Sequence, residues 1–359
     1  MSNRRLEEAY RPIAKGPHLV HVSSCADDSI EANAIQHLIK ASSQNQVLIV
    51  TDPALAHFVI CVGVRQDGAF ANLRLNPVWR RWPEKCFVYH ETYNPPTLLH
   101  GICSSIPQWK NWFGRFRSFG YPLLTHLCPN PVPDGLFGIK EPKRYLFSFV
   151  GRWSHAVRRR LFAHSWPDDV FVRCSHDTYS RFIRAPEKDS RAEEVRYWQT
   201  MAASKFALCP RGAGVSSIRL FEAMSIGVAP IIVADGWVPP VGPRWDRFAL
   251  FVPERDVRHL AAIVRTHETE WEERGRLAYA AYNDYFRPEH FWPSLFVAIN
   301  SIQQKQRVPE RLFGTFSWAL TTMEWIYQAG WSARVKLVAQ ARSMRRRCSR
   351  DTETSAKRF

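Results

Sequence analysis

The pattern of apolar and polar positions divides the first half of the chain into short buried strands that alternate with helical stretches. Apolar runs predict strands at residues 19–23, 47–50, 58–62 and 87–89. Between the first two runs, residues 29–41 have helical periodicity and follow Asp27 and Asp28, which are favourable N-cap residues. Strands that alternate with helices in this way predict a parallel α/β domain.

A second series of the same kind follows a proline-rich stretch. Residues 128–145, CPNPVPDGLFGIKEPKRY, contain too many Pro and Gly residues for a regular element, and we place a domain boundary there. After it, apolar patterns predict strands at 145–150, 170–173, 206–208, 229–234 and 248–252, and helices at 156–163, 192–203 and 257–266. The sequence thus predicts an N-terminal Rossmann-like domain at 1–140 and a C-terminal one at 141–300.

The segment 301–359 differs in composition from both domains. It has 12 Lys and Arg residues against 4 Asp and Glu, which gives 12 − 4 = +8 of the formal +16 of the whole chain. Residues 312–338 mix Trp, Phe, Leu and Ile with few charges and precede a basic run at 342–350. We interpret the segment as a helical, basic extension that packs on the domains. Peripheral contact of 312–350 with an anionic membrane surface stays open as the alternative.

The most informative segment is 206–235, FALCPRGAGVSSIRLFEAMSIGVAPIIVAD. It predicts a buried strand, a basic loop with two glycines, a helix that starts near Ser216 or Ser217, and a second buried strand. Glycines after a strand are most often a simple turn. Here, however, polar side chains concentrate at the carboxyl end of the first strand, where open α/β sheets bind ligands. The backbone N–H groups of such a loop and the positive end of the helix dipole are suited to bind phosphate.

Charged side chains extend this predicted phosphate site. Arg211 opens the loop with Gly212 and Gly214. Arg219 and Glu222 are three residues apart on the helix, so they share one face. A guanidinium suits a phosphate, and a carboxylate can accept hydrogen bonds from two sugar hydroxyls. The combination indicates a nucleotide-sugar pocket, whereas a solvated ion pair is the plainer interpretation of Arg219 and Glu222 taken alone.

This segment resembles the signature of the exostosin-type glycosyltransferases. The resemblance is carried by Phe206-x-Leu208-Cys209-Pro210-Arg211-Gly212-x-Gly214-x-x-Ser217-x-Arg219-Leu220-x-Glu222-Ala223-Met224 and Gly227-x-x-Pro230-Ile231-Ile232. It is extended by Phe147-x-Phe149-x-Gly151-Arg152 with Arg158 and Leu161, by Phe251-Val252-Pro253-Glu254-x-Asp256, and more weakly by Tyr89-His90-Glu91 with Gly101-Ile102 and Ser104. The similarity is strong over residues 145–260, suggestive over 50–130 and absent after 300.

The resemblance implies the GT-B architecture, in which two Rossmann-like domains face a cleft and a helical crossing within 271–302 returns to the first domain. It implies transfer of a sugar from a nucleotide donor, commonly a UDP sugar, with inversion, to a glycan or lipid-linked acceptor of polysaccharide synthesis. The chain has no Asp-x-Asp motif, and adjacent pairs such as Asp168-Asp169 converge poorly on one ion, so we expect no metal and no cofactor. Arginines and a helix N-terminus are expected to meet the charge of the leaving diphosphate.

The expected donor-binding residues all belong to the second domain. We assign Arg219 to the diphosphate and Glu222 to the ribose, with Arg152 as a second cation after the strand at 145–150. Asp235 ends the next strand and is either a donor contact or a turn former. The complete predicted donor set is Arg152, Arg211, Gly212, Gly214, Ser216, Ser217, Arg219, Glu222 and Asp235.

The acceptor base is expected in the first domain, across the cleft. His90 and Glu91 follow the strand at 87–89, and either an imidazole or a carboxylate can accept a proton near neutral pH. The plainer alternative is that one of them caps the next segment. Asp52 ends an earlier strand but precedes Pro53 as a helix start does, so we rank it behind His90 and Glu91.

Composition sets the remaining limits. A chain of 359 residues with 45% hydrophobic residues is sufficient for two cored domains, and a charge of +16 favours anionic partners. The eight cysteines contain no Cys-x-x-Cys pair, and several lie in apolar runs, which favours a reducing compartment. Because the first residues lack a signal-peptide core, we expect a cytoplasmic, bacterial-like relative. The alternative function is a non-catalytic glycan- or nucleic-acid-binding protein, although no nucleic-acid motif is present.

Overall fold

The computed structural model describes residues 17–24, 30–62, 76–90, 99–111, 114–121, 142–175 and 190–316. Within these ranges the chain forms two parallel β-sheets, one from each half, and both are covered by helices. None of the helices described there is long and apolar enough to cross a membrane. The predicted fold class, α/β with two Rossmann-like units, is confirmed.

The first sheet has the strand order β2-β1-β3-β4-β5-β6, with every pair parallel. Its strands are β1 (His18–Ser24), β2 (Val47–Ile49), β3 (Phe58–Val62), β4 (Cys86–His90), β5 (Gly101–Cys103) and β6 (Phe116–Ser118). Its helices are α1 (Ile30–Ser42) and α2 (Pro77–Arg81). Ile60 of β3 packs in one core while Val59 and Cys61 pack in the core on the other face, as expected of a strand that is buried on both sides.

The second sheet has the order β11-β10-β9-β7-β8, again with every pair parallel. Its strands are β7 (Tyr145–Gly151), β8 (Val170–Cys174), β9 (Ser204–Pro210), β10 (Ala229–Val233) and β11 (Leu250–Phe251). Its helices are α3 (Ala156–Ala163), α4 (Ser190–Ala202), α5 (Ile218–Ser225), α6 (Trp245–Phe248), α7 (Leu260–Arg265) and α8 (Trp271–Tyr285). In this doubly wound order the chain reverses direction across the sheet between β7 and β9. The carboxyl ends of these two strands therefore flank the crevice that such a reversal creates in open α/β sheets.

After the second sheet the chain returns to the first. In α9 (Phe291–Lys305), Trp292 and Phe296 pack in the same core as Phe87 of β4. Arg117 of β6 donates hydrogen bonds to both the hydroxyl and the carbonyl oxygen of Ser301, each at 3.0 Å. The crossing back that the resemblance implied is therefore present.

The extension begins as an anchored helix, α10 (Glu310–Phe316). Glu310 is 1% exposed, accepts a hydrogen bond from Arg115 Nη2 at 2.5 Å and lies 3.3 Å from His100 Nδ1. Burial alone would raise the pKa of Glu310. The contacts with His100 and Arg115 outweigh this effect and hold the pKa below its usual value. Glu84 accepts hydrogen bonds from the first N–H groups of α10. Residues 317–359 lie outside the described residues, so the membrane alternative for 312–350 stays a prediction.

Most predicted elements are confirmed, with small shifts at their ends. The predicted strand at 248–252 is a correction, because Phe248 ends α6 and only Leu250–Phe251 pairs with β10. The N–H of Ala249 donates to the carbonyl of Trp245 at 2.9 Å and closes that helical turn. The short strands β5 and β6 were not predicted, because Gly101-Ile102-Cys103 and Phe116-Arg117-Ser118 lack the continuous apolar run that identified β2. The predicted boundary at 128–145 lies mostly outside the described residues, so the domain limits stay a prediction.

Candidate functional site

The glycine-rich loop lies between β9 and α5, as predicted. β9 is buried along most of its length, and the N–H of Arg211 continues its ladder by donating to the carbonyl of Val233 at 2.9 Å. At Gly212 an added Cβ would lie 3.2 Å from Ser154 Oγ and 3.4 Å from Arg158 Nη2. Gly212 therefore permits the segment after β7 to approach the loop after β9 closely.

Arg158 of α3 connects the segment after β7 to the end of β9 through hydrogen bonds. Its Nε donates to the carbonyl of Arg211 at 3.0 Å and its Nη2 to that of Pro210 at 2.9 Å, while Nη1 lies 3.4 Å from the carbonyl of Arg152. Burial first, and then the charge of Arg219, lower the pKa of Arg158 to about 9. Arg158 was quoted in the family resemblance but was not assigned to the site. Its helical position gave no sign that it reaches both loops.

Arg219 points to the same place from α5. Its Nη2 donates to the carbonyl of Val150, and its guanidinium lies 4.5 Å from the Phe149 ring and 5.3 Å from the Tyr197 ring. Because Val150 and Phe149 belong to β7, the side chain spans the crevice between β7 and β9. The structure therefore brings Arg219 and Arg158 together at the reversal point of the sheet.

Glu222 is one helical turn away but is not open to a ligand. It is 1% exposed, and its Oε2 accepts a hydrogen bond from the Tyr197 hydroxyl. Burial raises the pKa of Tyr197 well above its usual value and that of the neighbouring Cys209 to about 12. The plainer interpretation of Arg219 and Glu222 as a solvated ion pair is wrong, because Glu222 is buried and both side chains contact Tyr197. A ribose contact by Glu222 stays a prediction and requires displacement of the Tyr197 hydroxyl.

The two serines before α5 differ in their bonding. The Ser216 N–H, expected to face the donor, instead donates to Ser105 Oγ of the first half at 3.1 Å. The Ser216 hydroxyl is buried without a hydrogen-bond partner within the part of the chain that the structure describes. Ser217 occupies the N-cap of α5, but its side chain makes no capping bond. The Ser216 hydroxyl and the first turn of α5 are therefore the parts of the loop suited to an anion.

Asp235 is bonded within the protein. Its Oδ1 accepts from the Glu254 N–H at 3.0 Å, and its own N–H donates to Glu254 Oε1 at 3.2 Å. Glu254 in turn lies 3.6 Å from Arg211 Nη1. The three residues form a chain that fixes the start of the loop, and Glu254 is a further residue that the sequence reasoning did not assign to the site.

The predicted bases are only partly described. His90 ends β4, is 4% exposed, and burial lowers its pKa to about 4, so its imidazole is neutral near pH 7. Glu91 lies outside the described residues. Among the residues whose placement is described, no cluster of three His, Cys, Asp or Glu side chains is suited to hold a metal ion.

The two halves meet directly beside the loop. The Gln108 N–H donates to the Gly236 carbonyl at 2.7 Å, and the Val238 N–H donates to the Ile106 carbonyl at 3.0 Å. Between these bonds, Pro107 and Trp237 form an isolated antiparallel bridge. The segment after β5 is thereby held against the segment after β10, and it brings Ser105 to the loop.

The fold and this site define a class: a protein of two Rossmann-like units with an arginine-lined crevice at the reversal point of the second sheet. The Exostosin GT47 domain model matches residues 89–267. Over this segment the chain belongs to the exostosin GT47 family. The matched segment includes β7, β9, the loop and α5.

Curated relatives that match this chain include animal and plant proteins. An exostosin-1 homolog of Caenorhabditis elegans is 28% identical over 160 residues, which is 40% of this chain and 42% of that protein. The probable glucuronosyltransferase GUT1 of Oryza sativa is 40% identical over 140 residues, 33% of this chain and 34% of that protein. A probable glycosyltransferase of Arabidopsis thaliana is 30% identical over 283 residues, 59% of this chain and 57% of that protein. The chain thus spans less than two thirds of the length of each of these relatives.

Solved structures are similar only at a distance. MurG of Acinetobacter baumannii aligns with a TM-score of 0.36 at 10% identity, over 80% of this chain and 100% of that chain. TarM aligns with a TM-score of 0.40 at 10% identity, over 75% of this chain and 57% of that chain. The fold assignment rests on the two sheets of the chain itself.

Proposed function

We propose that this chain is an inverting glycosyltransferase that moves a sugar from a nucleotide sugar, with UDP as the expected nucleotide, to a glycan or lipid-linked acceptor of polysaccharide synthesis. Membership of the exostosin GT47 family supports the reaction class. Relatives named as a probable glucuronosyltransferase and a probable xylosyltransferase support a sugar as the transferred group.

The observation that carries the proposal is the concentration of guanidinium groups in one crevice. Arg158 and Arg219 meet between β7 and β9, and the charge of Arg152 also acts on Arg158. Cations held this close repel one another, and a bound dianion would relieve the repulsion. A nucleoside diphosphate supplies that charge in the crevice where doubly wound sheets bind nucleotides.

The same groups suit the leaving step. When the bond between the sugar and the diphosphate breaks, negative charge grows on the diphosphate oxygens. Arginines already fixed by backbone carbonyls stabilise that charge without reorganising. We therefore propose that transfer requires no metal ion. Of the two proposed bases, Glu91 is favoured over His90, because the His90 side chain is enclosed.

The test is calorimetric titration of the purified chain with UDP, GDP, CDP and ADP, each with and without EDTA. Binding of one diphosphate that EDTA does not change, and that Arg219→Ala abolishes, would support the donor site. Arg276→Ala is the matched control, because Arg276 is 64% exposed and pairs only with Glu273 among the described residues. Release of free sugar from the matching nucleotide sugar establishes catalysis. Absence of binding to all four diphosphates would overturn the proposal.

We further propose a cytoplasmic protein whose extension, residues 312–350, contacts an anionic membrane surface. The basic run at 342–350 supports this proposal. Because α10 is anchored through Glu310, a truncation that tests it should end the chain at Phe316. Sedimentation with phosphatidylserine vesicles that is lost on this truncation, and absent with phosphatidylcholine vesicles, would support the contact. Equal sedimentation of both chains would exclude it.

A further inference from the structure

A partly exposed tryptophan stands where the first half meets the loop of the second. Trp109 is 48% exposed and lies in a single turn, Gln108–Lys110, in the segment after β5. The backbone just before it is fixed by the bond from Gln108 to Gly236 and by the bridge between Pro107 and Trp237. The indole is therefore carried on a fixed backbone although half of its surface faces outward.

The indole rests on Gly236, which follows β10. An added Cβ at residue 236 would lie 2.5 Å from Trp109 Cζ3 and 2.9 Å from Cε3. Gly236 also has φ of +69°, a conformation that L side chains rarely adopt. Glycine at this position serves both requirements, and the contact fixes the edge of the ring.

A guanidinium borders the same ring. The Arg211 guanidinium carbon lies 6.0 Å from the centroid of the Trp109 ring, and Arg211 is itself fixed by Glu254 at 3.6 Å. This arginine opens the glycine-rich loop, so Trp109 stands beside the crevice that we assign to the nucleotide diphosphate. Gly236 follows β10, and the crevice lies between β9 and β7. With neighbouring strands about 4.8 Å apart, the crevice lies between one and two strand spacings from β10.

We propose that Trp109 is a stacking platform for a sugar ring of the acceptor, bound next to the donor site. This proposal rests on the proposed function. One face of a pyranose carries C–H groups that pack on an aromatic ring, while its hydroxyls reach polar groups at the rim, here Arg211. An aromatic ring that is already fixed loses little entropy on binding. Because Trp109 comes from the first half and the arginines from the second, the platform lies on the acceptor side of the crevice.

The test is saturation-transfer NMR on the full chain in the presence of UDP. The probes are methyl β-glycosides of glucose, galactose, xylose, glucuronic acid and N-acetylglucosamine. We expect transfer to the ring C–H protons of at least one glycoside in the wild type, and about tenfold weaker binding of it by Trp109→Ala. Trp109→Phe should keep part of the binding. Tyr279→Ala, which removes a 37% exposed aromatic on α8, should keep all of it.

The titration with UDP separates this proposal from the donor site. UDP affinity should be the same in Trp109→Ala and wild type. An equal loss of UDP and glycoside binding would overturn the proposal in favour of a nucleobase contact. The proposal would also be overturned if Trp109→Ala binds the glycoside as well as wild type does. The same holds if a wild type that binds UDP shows no saturation transfer to any of the five glycosides. A wild type that binds a glycoside through Trp109 but no diphosphate would instead contradict the proposed function.

Discussion

The backbone N–H of Ser216 donates a hydrogen bond to the Oγ of Ser105, 3.1 Å away, and joins the loop before α5 to the segment after β5. The two residues are 111 positions apart, and both are buried. Because this N–H is engaged by the first half of the chain, the conformation of the loop depends on how the two halves meet. The first half therefore helps to fix the conformation of the loop that we propose for donor binding.

Replacement of Ser105 tests this dependence. Ser105→Ala leaves the Ser216 N–H buried without an acceptor, at a cost of about 1–3 kcal/mol, and we expect weaker UDP binding as the loop shifts. Ser104→Ala is the matched control, because Ser104 is equally buried but donates to the Gly120 carbonyl within the first half. Ser104→Ala should lower the melting temperature and keep UDP affinity. Equal UDP affinities in the two variants would contradict the coupling.

Arg158 is predicted to matter for its shape as well as its charge. Arg158→Lys keeps a cation but loses the fork that bonds the carbonyls of Pro210 and Arg211. We expect the dissociation constant for UDP to rise about tenfold, measured by titration calorimetry. Arg159→Lys on the exposed side of α3 is the control and should have no effect. Unchanged binding by Arg158→Lys would show that charge alone is needed.

Tyr197 is predicted to compete with the donor ribose for Glu222. Its hydroxyl occupies Oε2 of a carboxylate that is 1% exposed. If Glu222 binds ribose, Tyr197→Phe should increase the preference for UDP over 2′-deoxy-UDP while lowering the free energy of unfolding by about 1–3 kcal/mol. Glu222→Gln in the same background should abolish the gain. An unchanged preference between the two nucleotides would assign Glu222 a structural role.

How far the sequence could predict the site follows from the range of each interaction. The strand, loop and helix at 206–225 were predicted because a buried apolar run, glycines and a helical period are local signals. The spacing of Arg219 and Glu222 predicted that the two side chains share one face of the helix. It did not predict which residues surround that face. Residues Leu220–Ser225 are buried almost all round, and Tyr197 comes from another helix. A local period does not specify which neighbouring element a side chain meets.

Contacts between the two halves could not be predicted either, because local sequence patterns do not specify which distant segments meet. The bond of Ser216 to Ser105 and the packing of Trp109 on Gly236 depend on two sheets that meet only in the folded chain. The signal for their location was also weak, because β5 is a three-residue strand and was not predicted. Arg158 was within the quoted resemblance, but its position in the first turn of α3 did not show that its side chain reaches β9.

The burial of His90 predicts a pH dependence of stability. Its pKa is about 4 in the folded chain and about 6.5 when unfolded, because burial disfavours the cation. Between pH 6.5 and pH 4 the unfolded state binds more protons at His90 than the folded state does. The contribution of His90 to the free energy of unfolding is therefore complete above about pH 6.5 and is lost as the pH drops toward 4. The loss amounts to at most about 3 kcal/mol. In His90→Gln, which cannot titrate, urea unfolding at pH 5 and pH 7.5 should differ less than in wild type. If the free energy of unfolding changes equally between the two pH values in both proteins, the lowered pKa of His90 would be contradicted.

The anchor of α10 predicts where the chain can be shortened. A chain that ends at Phe316 keeps Glu310 against Arg115 and His100, whereas one that ends at Val308 leaves both without the carboxylate. Breaking a buried pair by removing one partner costs about 3–5 kcal/mol, so only the shorter chain should melt at a clearly lower temperature. Glu310→Gln in the full chain isolates the charge from the loss of the helix and should reproduce most of the decrease. If the two truncated chains have the same melting temperature and Glu310→Gln has that of wild type, α10 does not stabilise the first half. The extension would then be independent of the first half.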